Sequence, residues 1–136
     1  SLRRRQRQMC IRDRLNARMS EGLYRTSKER REDPTLEFLY RSAGPVWYRG
    51  MVCTDEKYDP LTPEQTDALL RRYDADRLLV GHTIFPDIST FHDGRVIAVN
   101  VQNELNRRKN RGRAVLIEGS RISVVGNRGV KRVLEE

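Results

Sequence analysis

A chain of 136 residues, 37% apolar and 34% charged, has room for one modest domain with a serviceable core. Two cysteines, Cys10 and Cys53, neither in a Cys-x-x-Cys pair, exclude a disulfide scaffold, and no apolar run approaches the length of a membrane span. The net charge of +8 points toward nucleic acid only if it is distributed, and +5 of it falls within residues 1–14, "SLRRRQRQMCIRDR", so the rest of the chain is ordinarily balanced.

In chain order, residues 1–14 have neither an apolar period nor turn grammar. They resemble translated adapter sequence, and are expected to be a non-native or disordered basic segment preceding a domain over 15–136. Leu15, Met19 and Leu23 recur at four-residue spacing and predict a weakly amphipathic helix over 15–32. Asp33-Pro34 predicts the start of a second helix, with Asp33 as cap and Pro34 where a missing N–H costs nothing. Leu36, Phe38, Leu39 and Tyr40 would supply its apolar side. "GPVWYRG" follows as a segment punctuated by glycine and proline and loaded with aromatics.

Thr62-Pro63-Glu64-Gln65 fits a capping box and predicts a helix from 63 to about 73, packed through Leu69, Leu70 and Tyr73. "RLLV" reads as a strand buried on both faces. Asp93-Gly94 lies between alternating runs, as a type I′ hairpin requires, and Glu118-Gly119-Ser120 repeats the pattern. The stretch between these hairpins, "QNELNRRKNRGR", reads as a polar basic loop. The sum is an α/β chain: helices, a strand, then a β-meander.

Two residues stand out chemically. His82 follows a glycine at the expected carboxyl end of a core strand, where ligands of α/β sheets gather, and its imidazole could hold a metal or simply end the strand. Arg49, in "WYRG", could bind a phosphate through its guanidinium fork or pack against Trp47 or Tyr48. His92, beside the Asp93-Gly94 turn, reads as an exposed turn residue.

Taken in order, "GPVWYRGMV", "KYDPLTPEQTDALLRRY", "RLLVGHTIFPDI" and "FHDGRVIAVNV" resemble the C-terminal half of a bacterial calcineurin-like metallophosphoesterase of the phosphoprotein-phosphatase-like branch, over residues 35 to 125. The resemblance implies a partial layered β-sandwich flanked by helices, with only the C-terminal half present. It implies that His82 ligates one of two divalent ions (manganese, iron or zinc), that Arg49 clamps the substrate phosphate, and that hydrolysis is two-metal phosphomonoester cleavage. Ile84 stands where diesterase relatives have a second histidine, and Asn100 where an aspartate is common. The remaining metal motifs are absent, so the expectation is that they lie upstream and that this chain alone is inactive and does not retain the metals.

The implied partner is a phosphorylated substrate, with no specific nucleic acid and no membrane segment, and a cytoplasmic location is favoured. Two alternatives remain. One is a small basic nucleic-acid-binding module using 3–14 and 107–113, weakened by the lack of aromatics among its basic clusters. The other is a degenerate, non-catalytic phosphoesterase half serving as an interaction domain.

Overall fold

A computed structural model describes residues 2–135, the side chains of 2–5, 130, 131 and 135 excepted. The chain divides into two compact units, Ser1–Arg49 with Asp55–Asp59, and Gly50–Thr54 with Pro60–Glu136.

The first unit is helical: α1 (Leu2–Leu23), α2 (Ser27–Glu32), α3 (Pro34–Tyr40) and a 3-10 turn over Glu56–Tyr58. The single helix expected over 15–32 is instead two, and α1 begins at Leu2, so the basic segment is helical through residue 14. The break comes from Thr26. Its backbone is extended, its hydroxyl accepts from the Glu29 amide at 3.3 Å, and the Glu29 carboxylate accepts from the Thr26 amide at 2.7 Å. That reciprocal cap starts a new helix more favourably than it continues the old one. Asp33 caps α3 as expected, accepting from the Thr35 and Leu36 amides at 2.9 and 3.2 Å. Arg18 also donates to Asp33, and this bond, followed by the Leu36 amide, holds the Asp33 carboxyl below the usual range.

Leu36 and Leu39 are fully buried, and Gly22 of α1 is buried against Leu36 and the Tyr40 ring. Tyr40 donates its hydroxyl to the Met19 carbonyl at 2.6 Å. Phe38, expected on the packed side, is half-exposed and carries the Arg41 guanidinium 5.2 Å from its ring centre. A spacing of three, Leu36 to Leu39, keeps one helical face, whereas Phe38 falls off it.

The second unit holds α4 (Pro63–Tyr73), β1 (Leu78–Val80), β2 (Ser89–Phe91), β3 (Val96–Ala98), α5 (Asn103–Arg108), β4 (Ala114–Glu118), β5 (Arg121–Gly126) and β6 (Gly129–Glu135). Thr62 accepts from the Gln65 amide at 3.2 Å, and the Gln65 side chain accepts from the Thr62 amide at 2.8 Å, the expected capping box. The packed face of α4 runs through Thr66 and Leu70, while Tyr73 is exposed.

One sheet has the order β1-β3-β2, with Leu78 to Val80 parallel to Val96 to Ala98, and Ser89 to Phe91 antiparallel to them. The other is an antiparallel meander, β4-β5-β6. Ile88, Ile97, Val101, Ile122 and Val124 form one apolar cluster, so β3 and β5 face a common core. Double burial belongs to β3, which is buried throughout, rather than to "RLLV". The reason is position: β3 is the central strand, and β1 is an edge strand whose Leu79 is 44% exposed.

The Asp93-Gly94 turn forms as expected, with φ of 54° and 83° and the Arg95 amide donating to the His92 carbonyl at 3.1 Å. The stretch expected as a loop contains α5, and a third strand, β6, follows the second hairpin. The α/β class therefore stands. The calcineurin-like layered sandwich is not supported; the strands form two small three-stranded sheets, one mixed and one antiparallel.

An ion pair ties the segment before β2 to the segment before β4. Asp87 accepts from Arg113 Nε at 2.9 Å and from the Ile88 amide at 2.8 Å. Arg113 is 8% exposed and Asp87 47%. Burial pushes the Asp87 carboxyl up, but the Arg113 and Ile88 hydrogen bonds and the charges of Arg113 and Arg132 outweigh it and leave it below the usual range. A carboxyl lowered on folding stabilises above its unfolded pKa, and that contribution is lost as the pH falls through the folded value. Asp87→Ala is expected to cost roughly 1–2 kcal/mol at neutral pH, discounted because the carboxylate is half-exposed. The gap from wild type should close on acidification, and urea titrations of both proteins across pH check this. A pH-independent gap would refute it.

Candidate functional site

The loop from Arg41 to Arg49 leaves α3 and is shaped by Gly44, whose amide donates to the Arg41 carbonyl at 2.8 Å. The Gly44 carbonyl in turn accepts from the Trp47 amide at 3.1 Å, so two successive tight turns set down Trp47, Tyr48 and Arg49. Tyr48 donates its hydroxyl to the Asp59 carbonyl at 3.1 Å, and its partial burial, then the Asp59 charge, pushes its phenol up. The Arg49 guanidinium lies 5.9 Å from the Tyr58 ring centre, and the Lys57 ammonium 5.0 Å from the same ring. Arg49 is thus held half-buried against Tyr58, a ring nine residues further along the chain. The short turn carrying Tyr58 is fixed by Asp55, which accepts from the Lys57 amide at 3.1 Å and pairs with its ammonium at 2.8 Å. A planar guanidinium set over a ring, with a lysine near the same ring, is suited to binding an oxyanion.

In the second unit, His82 follows β1 at its carboxyl end and is exposed. Its φ is 70°, and the Thr83 amide donates to the Gly81 carbonyl at 2.9 Å across it. A three-residue turn centred on a left-handed histidine is rare and costs on the order of 1–3 kcal/mol. Gly81 itself has no such strain, and a Cβ there would meet nothing. The strain at this turn therefore sits on the histidine and not on the glycine before it.

His92 is not the exposed turn residue expected. It is half-buried, at φ 51°, with Nε2 3.1 Å from the Met51 carbonyl. With Cys53, Leu61 and Phe91 it lines a cavity of about 220 Å³. No local signal could have shown this, because its partner is 41 residues away.

The expected two-metal centre is withdrawn. Among the described residues no group of three or more His, Cys, Asp or Glu side chains, His82 included, is placed to hold an ion.

No protein-family model and no curated protein matches the chain. Solved structures do. A cold-active protein tyrosine phosphatase determined at 1.1 Å matches with 25% identity and a TM-score of 0.61, over 89% of this chain and 33% of that one. The cold-active protein-tyrosine phosphatase of a psychrophile, Shewanella sp., and a point mutant of a cold-active protein tyrosine phosphatase each match with 25% identity and a TM-score of 0.62, over 90% of this chain and 34% of theirs. This chain shares its fold with about a third of a tyrosine phosphatase. That likeness overturns the calcineurin-like metallophosphoesterase assignment, since the structures matched are named as protein tyrosine phosphatases. It also removes the ground on which two divalent ions were expected.

Proposed function

We propose that this chain belongs to a phosphatase acting on phosphomonoesters, with phosphotyrosyl side chains as the substrate class, and that Arg49 binds the phosphoryl group. The observation that carries the reading is the alignment of about nine-tenths of the chain with structures named as protein tyrosine phosphatases. The setting of Arg49 supports its part: a fork of donors, already ordered against Tyr58, loses little entropy on engaging a dianion. His82, considered within the second unit by itself, is proposed as a separate candidate functional residue on the strength of its strained backbone. The chain spans a third of the length of the structures it matches, so hydrolysis is proposed for a protein carrying this segment, and phosphate recognition is its testable part here.

O-phospho-L-tyrosine titrated against the chain and followed by proton–nitrogen NMR should perturb the Arg49 Nε–H resonance, whereas tyrosine should not. Arg49→Ala should weaken binding about 10- to 100-fold, the loss of a charge-assisted pair, and Arg49→Lys should recover only part. An Arg49→Ala variant in which O-phospho-L-tyrosine still perturbs, undiminished, the backbone amide of Tyr58, the ring against Arg49, would overturn the role of Arg49.

A further inference from the structure

A second basic site lies in the first unit. The C-terminal half of α2, the end of α3 and the loop to Trp47 enclose an open cleft of about 370 Å³, lined by Arg30, Arg31, Arg41, Tyr40, Trp47 and Glu37 among others. Its volume is in the range that takes a single small ligand. Three guanidiniums face one carboxylate, and among the described residues none of the three arginines is in an ion pair. Arg30 lies 4.6 Å over the Tyr40 ring, which orders it along one wall. Trp47 is 50% exposed beside them, leaving an indole surface open.

Helix-end arginines are commonly explained by the macrodipole alone, and Arg30 and Arg31 do end α2. That explanation extends to Arg41, the C-cap of α3, but it does not reach the half-exposed indole that shares the cleft with all three arginines. An aromatic surface beside clustered guanidiniums suits a ligand that is flat at one end and doubly charged at the other.

The geometry points to this cleft as a non-catalytic binding site for an aryl phosphate, the side chain of a phosphotyrosine, distinct in its residues from Arg49. The inference rests on the proposed function only for the kind of phosphoester, and requires neither hydrolysis nor Arg49. Such a site would hold a second phosphotyrosine of a multiply phosphorylated partner.

Trp47 is the chain's single tryptophan, so its emission reports on the cleft directly. Phenyl phosphate should change that emission saturably, whereas phenol, benzoate and inorganic phosphate, lacking the dianion or the ring, should do so at least tenfold more weakly. Arg31→Gln and Arg41→Gln should each weaken the response roughly tenfold, with Arg12→Gln, an exposed arginine of α1, as the control for net charge. O-phosphotyrosine should outcompete AMP, which also joins a ring to a phosphate. The proposal fails if inorganic phosphate matches phenyl phosphate, if AMP binds more tightly, or if Arg12→Gln weakens the response as much as the cleft variants do. Arg41→Gln separates the two readings, because it should weaken the tryptophan response roughly tenfold while leaving intact the shift of the Arg49 Nε–H resonance by O-phospho-L-tyrosine; Arg49→Ala should leave the tryptophan response intact.

Discussion

Ile97→Ala is expected to destabilise the second unit by about 3 kcal/mol, within the 2–5 kcal/mol typical of truncating a buried aliphatic side chain. Ile97 is 1% exposed, lies on the central strand of the first sheet, and shares a cluster with Ile88 and Val101 and with Ile122 and Val124 of the second sheet. The residual cavity would be lined by two sheets held in place by their own ladders, so it cannot collapse cheaply. Against a total stability of about 5–15 kcal/mol for a small domain, this loss is a large fraction. Urea denaturation followed by far-ultraviolet circular dichroism measures it, with Ile97→Val as the graded companion at about 1 kcal/mol. A loss below about 1 kcal/mol for the alanine variant would mean that the sheets do not share a packed core.

Gly44→Ala should be comparably severe for a different reason. A Cβ at this position would lie 2.1 Å from the Phe38 carbonyl oxygen, 2.8 Å from that of Leu39 and 3.0 Å from that of Arg41. All three obstacles are backbone, so no rotamer change relieves them and the turn itself must open. The cost is expected to be about 3 kcal/mol, at the upper end of overpacking. Because Gly44 also holds the Trp47 amide, the displacement should reach Arg49 and weaken the phosphate binding proposed for it as well. Gly81→Ala is the matched comparison: its Cβ would meet nothing, and a change within about 0.5 kcal/mol is expected. Equal effects of the two substitutions, measured by thermal unfolding, would contradict the close approach at Gly44.

The features legible in the sequence are those closed over three or four residues. Asp33 ahead of Pro34, Thr62 with Gln65, and Asp93-Gly94 each satisfy backbone groups within their own turn, and each forms as read. Thr26 with Glu29 obeys the same chemistry, and its cap prevails over the four-residue apolar spacing of Leu15, Met19 and Leu23, which by itself favours continuity. What could not be read depends on distant partners. The helix α5 has no apolar stripe and buries Asn106 instead of a hydrophobic residue, while β6 exists through its pairing with β5. Likewise β1 and β3 are similarly apolar, and only sheet order decides which of them is enclosed.

The candidate site divides along the same line. Arg49 was found by its neighbours in "WYRG", yet the ring that orders it belongs to Tyr58. His82 was noticed for the glycine before it, whereas its distinguishing property is its own backbone angle. The family resemblance that tied these residues to two metals did not survive comparison of folds.

The unit boundary is not a linker: the chain leaves the first unit after Arg49, returns for Asp55–Asp59, and leaves again. No single cut can therefore separate the two. Expression of residues 1–49 would discard Tyr58 and the Asp59 carbonyl, and with them the supports of Arg49 and Tyr48. Expression of 60–136 would discard the Met51 carbonyl that His92 meets and the Gly50 carbonyl that accepts from Leu61. Dissecting this protein calls for a first piece ending no earlier than residue 59, and for a second that carries 50–54 as a strand of sequence grafted onto its start.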